Sequence, residues 1–156
     1  MIAEYERYHG VALRELIVRA AGPVLLESHD ERGRVNSFLV NRRVALHLKH
    51  SSKRLPPWQF TFDTDALNEI ERLILDQPSF WLVLVCGIDG VVAIGTDEFR
   101  KITSALGDGA RFIRVDRDRN TMYRVHGNAG KLSRAKARGL APVVAAAGIP
   151  PDRVSS

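Results

Sequence analysis

"NSFLVNRRVALHLKHSSKRLPPWQF", residues 36–60, is the stretch whose reading decides the fold. Two strand-like runs are joined by a tight connection at Asn41-Arg42. Side chains alternate along a strand, so Val44, Leu46 and Leu48 share one face, suited to a core beneath a helix. Ala45, His47, Lys49 and Ser51 share the other, alongside Ser37 and Leu39 of the preceding strand. A lysine on a central strand is costly to bury, so its ammonium must reach a carboxylate, a phosphate or water. The polar face therefore marks a candidate site.

Upstream, residues 3–21 place Tyr5, Tyr8, Ala12, Leu16 and Ala20 along one side of a helix, which Gly22-Pro23 ends. Strands are expected over 24–29, 35–41, 43–52 and, shorter, 58–62, with "DERGR" (30–34) as a turn. Asp63 or Thr64 caps a helix over 65–76, where Leu67, Ile70, Leu73 and Ile74 recur at helical spacing. "FWLVLVCG" is then a strand buried on both faces, and Asp89-Gly90 turns it into "VVAIG". Thr96 caps a short helix, "DEFRKITSAL", and "RFIRV" with "MYRVHG" forms a last hairpin. Beyond it, Lys131, Arg134 and Arg138 stand at helical intervals, and the final half-dozen residues are expected to be disordered. This order predicts an α/β fold: a mixed central β-sheet flanked by helices, with appended β-hairpins, in one domain over residues 1–150.

Bulk properties narrow the function classes. A chain of 156 residues suits one domain with a substantial core. No apolar run approaches the roughly 20 residues of a membrane span, and the N-terminus lacks the order of a secretory signal, so a cytoplasmic location is expected. The single cysteine, Cys86, lies in an apolar strand, where a thiol is inert, and no cysteine cluster exists for a thiolate zinc site. Charge is unevenly placed. Residues 100–138 hold eleven Lys or Arg against three Asp, while the whole chain carries a net charge of only +5. Such asymmetry points to a polyanionic partner, nucleic acid above all, with a solvated basic face as the alternative.

Element order and residues together resemble the PD-(D/E)XK nuclease superfamily, the restriction-endonuclease-like fold, most nearly its Holliday-junction-resolvase branch. The resemblance covers roughly residues 8–87. "HGVALRELIVRAAGPVLLES" resembles the first family helix, and "SFLVNRRVALHLKHSS" the strand pair that in active members carries Asp, then Glu-x-Lys and small hydroxyl residues. It implies that Gly10 and Glu15 match the helix motif, Lys49 the motif lysine, and Ser51 and Ser52 the hydroxyl residues after it. The aspartate position falls at Ser37 and the glutamate position at His47. Those carboxylates would hold Mg²⁺ or Mn²⁺ in an active nuclease; serine is a poor ligand for such ions, and imidazole suits softer ones.

The resemblance thus implies a catalytic set of Glu15, Ser37, His47 and Lys49, with Glu15 and Glu27, or Asp30, as metal ligands if any carboxylate has migrated. No cofactor is implied otherwise. Nucleic acid, DNA foremost, would meet Lys53, Arg54, Arg114, Lys131, Arg134, Lys136 and Arg138. Trp58 is either a core residue or an exposed stacking platform beside Lys53 and Arg54. Three functions are open: a nuclease-fold binding module without cleavage, a metal-dependent nuclease with rearranged ligands, and a protein-interaction subunit of a repair or defence assembly. Resolvase-like enzymes act as dimers, so a homodimer is also possible.

Overall fold

The computed structural model describes residues 1–29, 35–103 and 111–150. Helix α1 (Glu4–Arg19) leads into β1 (Leu26–His29), β2 (Ser37–Val40), β3 (Val44–Ser51) and β4 (Trp58–Phe62). Helix α2 (Thr64–Asp76), β5 (Ser79–Cys86), β6 (Gly90–Gly95) and α3 (Thr96–Ile102) follow. Strands β7 (Arg111–Asp116), β8 (Arg124–Gly127) and β9 (Gly130–Lys131) and helix α4 (Ala141–Ala146) complete the order.

The expected α/β architecture is present, as a five-stranded mixed sheet ordered β1-β2-β3-β5-β6 and a four-stranded sheet ordered β4-β7-β8-β9. Strands β1, β2 and β3 form an antiparallel meander. Its second turn, Asn41–Arg43, puts both Asn41 and Arg42 at positive φ and brings Val40 opposite Val44. Strand β5 is parallel to β3, so the chain must cross over, and β4 with α2 makes that crossing. Strand β5, apolar after Ser79, is central: Leu82, Val83, Leu84 and Val85 are all buried, two toward each face.

Each face of the main sheet has its own core. On one side Val44, Leu46 and Leu48 pack with Ala12 and Leu16 of α1 and Val143 and Val144 of α4. On the other, Ala45, Leu82 and Leu84 meet Ile70 and Leu73 of α2, Phe99 of α3, and the inner face of the second sheet. That inner face supplies Trp58, Phe60, Phe62, Ile113, Val115 and Val125. The alternation read from residues 43–52 is therefore the one the fold uses. Asp89, in the β5–β6 turn, ties the two sheets by accepting from the Tyr123 hydroxyl at 2.6 Å and from Arg117.

One expected element is absent. Residues 131–138 are not a helix: Lys136 exchanges two backbone hydrogen bonds with Tyr123, of 2.8 and 2.9 Å, and Gly139 donates to Val91. These extended pairings take up the amides a helix would need, and helix begins only at Ala141, with a proline in its first turn. The 30–34 turn, the far end of the "DEFRKITSAL" helix and the terminal tail lie outside the described residues. Among the described residues no helix is long and apolar enough to cross a membrane.

Candidate functional site

Strand β3 runs past the start of β2, its pairing with β5 continuing to Ser51. There the N-terminal turns of α1, the second half of β3 and the first half of α2 enclose a cleft of about 710 Å³. Helix α1 contributes Glu4, Tyr5 and His9; β3 contributes His47, Leu48, Lys49 and His50; α2 and its cap contribute Asp63, Asp65, Glu69 and Arg72. The cleft is thus rich in carboxylates, with Lys49 and Arg72 as its cations beside three histidines.

At its base, Ser37 and His47 are cross-strand partners, with relative exposures of 0% and 2%. Ser37 Oγ lies 3.0 Å from His47 Nδ1, and Glu69 Oε2 lies 3.1 Å from the same nitrogen. Ser37 is also hydrogen-bonded to Glu69. Burial pushes the Glu69 carboxyl up, but the hydrogen bond and charge of His47, aided by Ser37 and His29, bring it below its ordinary value. Two oxygens converging on one nitrogen place the ring proton on Nδ1, shared toward the carboxylate. This is no hydrolase triad: nucleophilic catalysis uses the two ring nitrogens separately, one toward the hydroxyl and the other toward the acid. Ser37, wholly buried, cannot reach a substrate.

Lys49 lies two residues further along the same face. Its ammonium stands 4.9 Å from the centre of the Phe62 ring and lines the cleft. Burial lowers its pKa, against the attraction of Asp63. On the α1 side, His50 Nε2 lies 3.3 Å from Glu4 and stacks on Tyr8, with ring centroids 4.6 Å apart. His9 is pulled down to about 4 by burial first, then by His50 and His47, with Glu6 opposing.

The structure joins Ser37, His47 and Lys49 but separates Glu15 from them. Helix α1 buries Ala12 and Leu16, which turns Glu15 aside, into an ion pair with Arg19 at 3.0 Å and toward Gly139. The α1 residues at the cleft are Glu4 and His9 instead. Glu27 is likewise elsewhere, paired with Arg42 across the sheet edge at 3.1 Å, and Asp30 lies outside the described residues. Glu69 is the acid that sequence reasoning missed. It lies 22 positions after His47, and only the crossover that lays α2 over β3 brings them together.

The basic candidates are dispersed. Trp58 is fully buried and its indole donates to the Lys53 carbonyl at 2.8 Å, so it is a core residue, not a stacking platform. Lys53 Nζ donates to the Pro57 carbonyl, and Arg54 is exposed in the same loop. Lys136 is taken up by Glu98 at 2.9 Å and lies over Trp81, and Arg138 donates to the Asp89 carbonyl at 3.4 Å. Arg134 lines a shallow groove beside Asp97 and Lys101 of α3. Arg114 and Lys131 lie on the outer face of the second sheet.

Neither Mg²⁺ nor Mn²⁺ fits the knot. Ser37 Oγ and His47 Nδ1 are taken up by one another and by Glu69. Among the described residues no group of three or more His, Cys, Asp or Glu side chains is placed to hold a metal ion. No family model, curated protein or solved structure matches this chain.

Proposed function

We propose that this chain is a nucleic-acid-binding module on a PD-(D/E)XK-like framework that does not cleave phosphodiesters. One observation carries the reading: Ser37 and His47 stand opposite each other in register, two residues before Lys49, where the resemblance assigns metal-holding carboxylates. The order helix, three-stranded meander, crossover helix and parallel strand supports the kinship. A hydroxyl and an imidazole closed by one carboxylate give no oxygen-rich cage for a hard cation, and without it no water is activated.

The cleft also suits a phosphate backbone poorly. Glu4, Asp63, Asp65 and Glu69 surround Lys49 and Arg72, and with no divalent ion between them these carboxylates repel phosphate. Affinity is therefore assigned to the basic segment, residues 100–138. The test is fluorescence anisotropy with labelled single-stranded, duplex and branched DNA at about 50 mM salt, where phosphate contacts are strongest, followed by gels after incubation with Mg²⁺ or Mn²⁺. Saturable binding that weakens with salt, on uncut DNA, is expected. Cleavage that disappears in Lys49→Ala would overturn the reading.

A further inference from the structure

The second sheet turns Trp58, Phe60, Phe62, Ile113, Val115 and Val125 inward, so the alternate residues form its outer face. The registers align one row across all four strands: Gln59 opposite Arg114, Arg114 opposite His126, and His126 opposite Lys131. Beside that row Phe112 is half-buried, belongs to neither core, and meets His126 edge-on with centroids 6.4 Å apart. Four other cations of the basic segment are matched by acids: Arg100 by Glu71, Arg117 by Asp89, Arg124 by Asp118 and Lys136 by Glu98. Arg114 differs from these four: its guanidinium donates at 2.6 Å to the neutral amide oxygen of Gln59 and has no ion pair among the described residues. Lys131 is exposed at the end of the row and has no ion pair among the described residues.

We infer that this outer face binds single-stranded nucleic acid, its bases stacking on Phe112 and His126 and its phosphates meeting Arg114 and Lys131. The inference rests on the nucleic-acid reading above and names the surface and the form of the strand. Alternating flat rings and cations along one face of a sheet suit unpaired bases, whose π faces are exposed. A paired duplex hides those faces and would use the cations alone. His126 is part of the platform as a ring, so its role does not depend on its charge.

The test compares fluorescein-labelled oligothymidylate and oligouridylate of 15 nucleotides with a duplex of equal length, over a salt series. The wild type is expected to prefer both single strands. Phe112→Ala and Phe112→Leu should each weaken that binding about tenfold, while duplex binding changes less. Arg114→Ala with Lys131→Ala should lower the slope of log affinity against log salt by about 1.4, or roughly 0.7 for each single-strand phosphate contact. Thermal melts of each variant show that it is folded, and Phe112→Leu keeps an apolar side chain should the alanine variant unfold. Wild-type binding that survives these substitutions, or that favours duplex, overturns this inference and leaves the nucleic-acid reading standing. Absence of wild-type binding to any strand overturns both.

Discussion

Glu69 reaches from α2 to put its carboxylate 3.1 Å from Nδ1 of His47 on β3, joining a crossover helix to the strand it covers. His47 is 2% exposed and the Glu69 side chain 16%, so the contact is shielded from water on one side and open to the cleft on the other. Replacing Glu69 with alanine leaves a buried imidazole and a buried hydroxyl short of their acceptor, at a cost of about 2 kcal/mol. Glu69→Gln, which keeps an acceptor oxygen, should cost about half as much. Urea denaturation of the two variants measures the difference; equal stability to the wild type would show that the knot contributes nothing.

Placing acids at the two positions where the resemblance expects carboxylates should give an opposite signature. Ser37→Asp with His47→Glu would gather three carboxylates at the base of the cleft, where like charges repel. The double variant is expected to melt well below the wild type in chelator and to regain much of the loss in millimolar Mn²⁺. Melting curves with and without the ion test this, and a variant indifferent to Mn²⁺ would separate this site from the superfamily pattern.

Acid should loosen the molecule through His9. Its pKa in the folded state is about 4, below its ordinary 6.5, so the unfolded chain binds the proton more readily between those values. Stability is therefore complete above about pH 6.5 and declines as pH falls toward 4, by at most roughly 3 kcal/mol from this group. Glu69, held below its ordinary value, adds a loss in the same direction at still lower pH, as it takes up a proton. The groups that face His9 are Tyr5 and Glu6 on its own helix and His47 and His50 on β3. Chemical denaturation at pH 7.5 and pH 5 should show the decline in the wild type and a flatter profile in His9→Phe.

Trp58 separates a core role from a binding role. Trp58→Phe removes the hydrogen bond to the Lys53 carbonyl and part of an edge contact with Tyr123, whose ring lies 6.2 Å away. A loss of about 1 kcal/mol is expected, with unchanged affinity for nucleic acid. Denaturation and anisotropy together check it; intact stability with weakened binding would reverse the assignment.

What the sequence discloses depends on how local each interaction is. Alternation within residues 43–52 is a property of one strand, and it correctly puts Val44, Leu46 and Leu48 in a core beneath a helix with Ala45 on the opposite face, where a second core takes it up. The turns are local too: the first includes Asn41-Arg42 as expected, while the second lies one step earlier than Asp89-Gly90, at Gly87–Asp89, with Gly90 already in β6. Glu69 was hidden because its partner depends on where a crossover helix lands. Glu15 was misplaced because helical spacing gives a face, not the neighbour that face meets: α1 turns residue 15 toward Gly139 and offers Glu4 and His9 to the cleft. Basic spacing over 131–138 suggested a helix, yet Tyr123 and Val91 claim that backbone for extended pairing. The outer row of Gln59, Arg114, His126 and Lys131 comes from four separate strands, so only register reveals it.

The proposal that the hydrogen-bonded knot holds no metal where the resemblance expects a metal-holding pair is tested most directly by calorimetric titration of the wild type with Mg²⁺ and Mn²⁺ at pH 7.5. Heats of dilution only are expected, at every concentration up to about ten millimolar, a range that hard-cation sites normally saturate. A saturable isotherm of one ion per chain, abolished by Glu69→Ala, would contradict it.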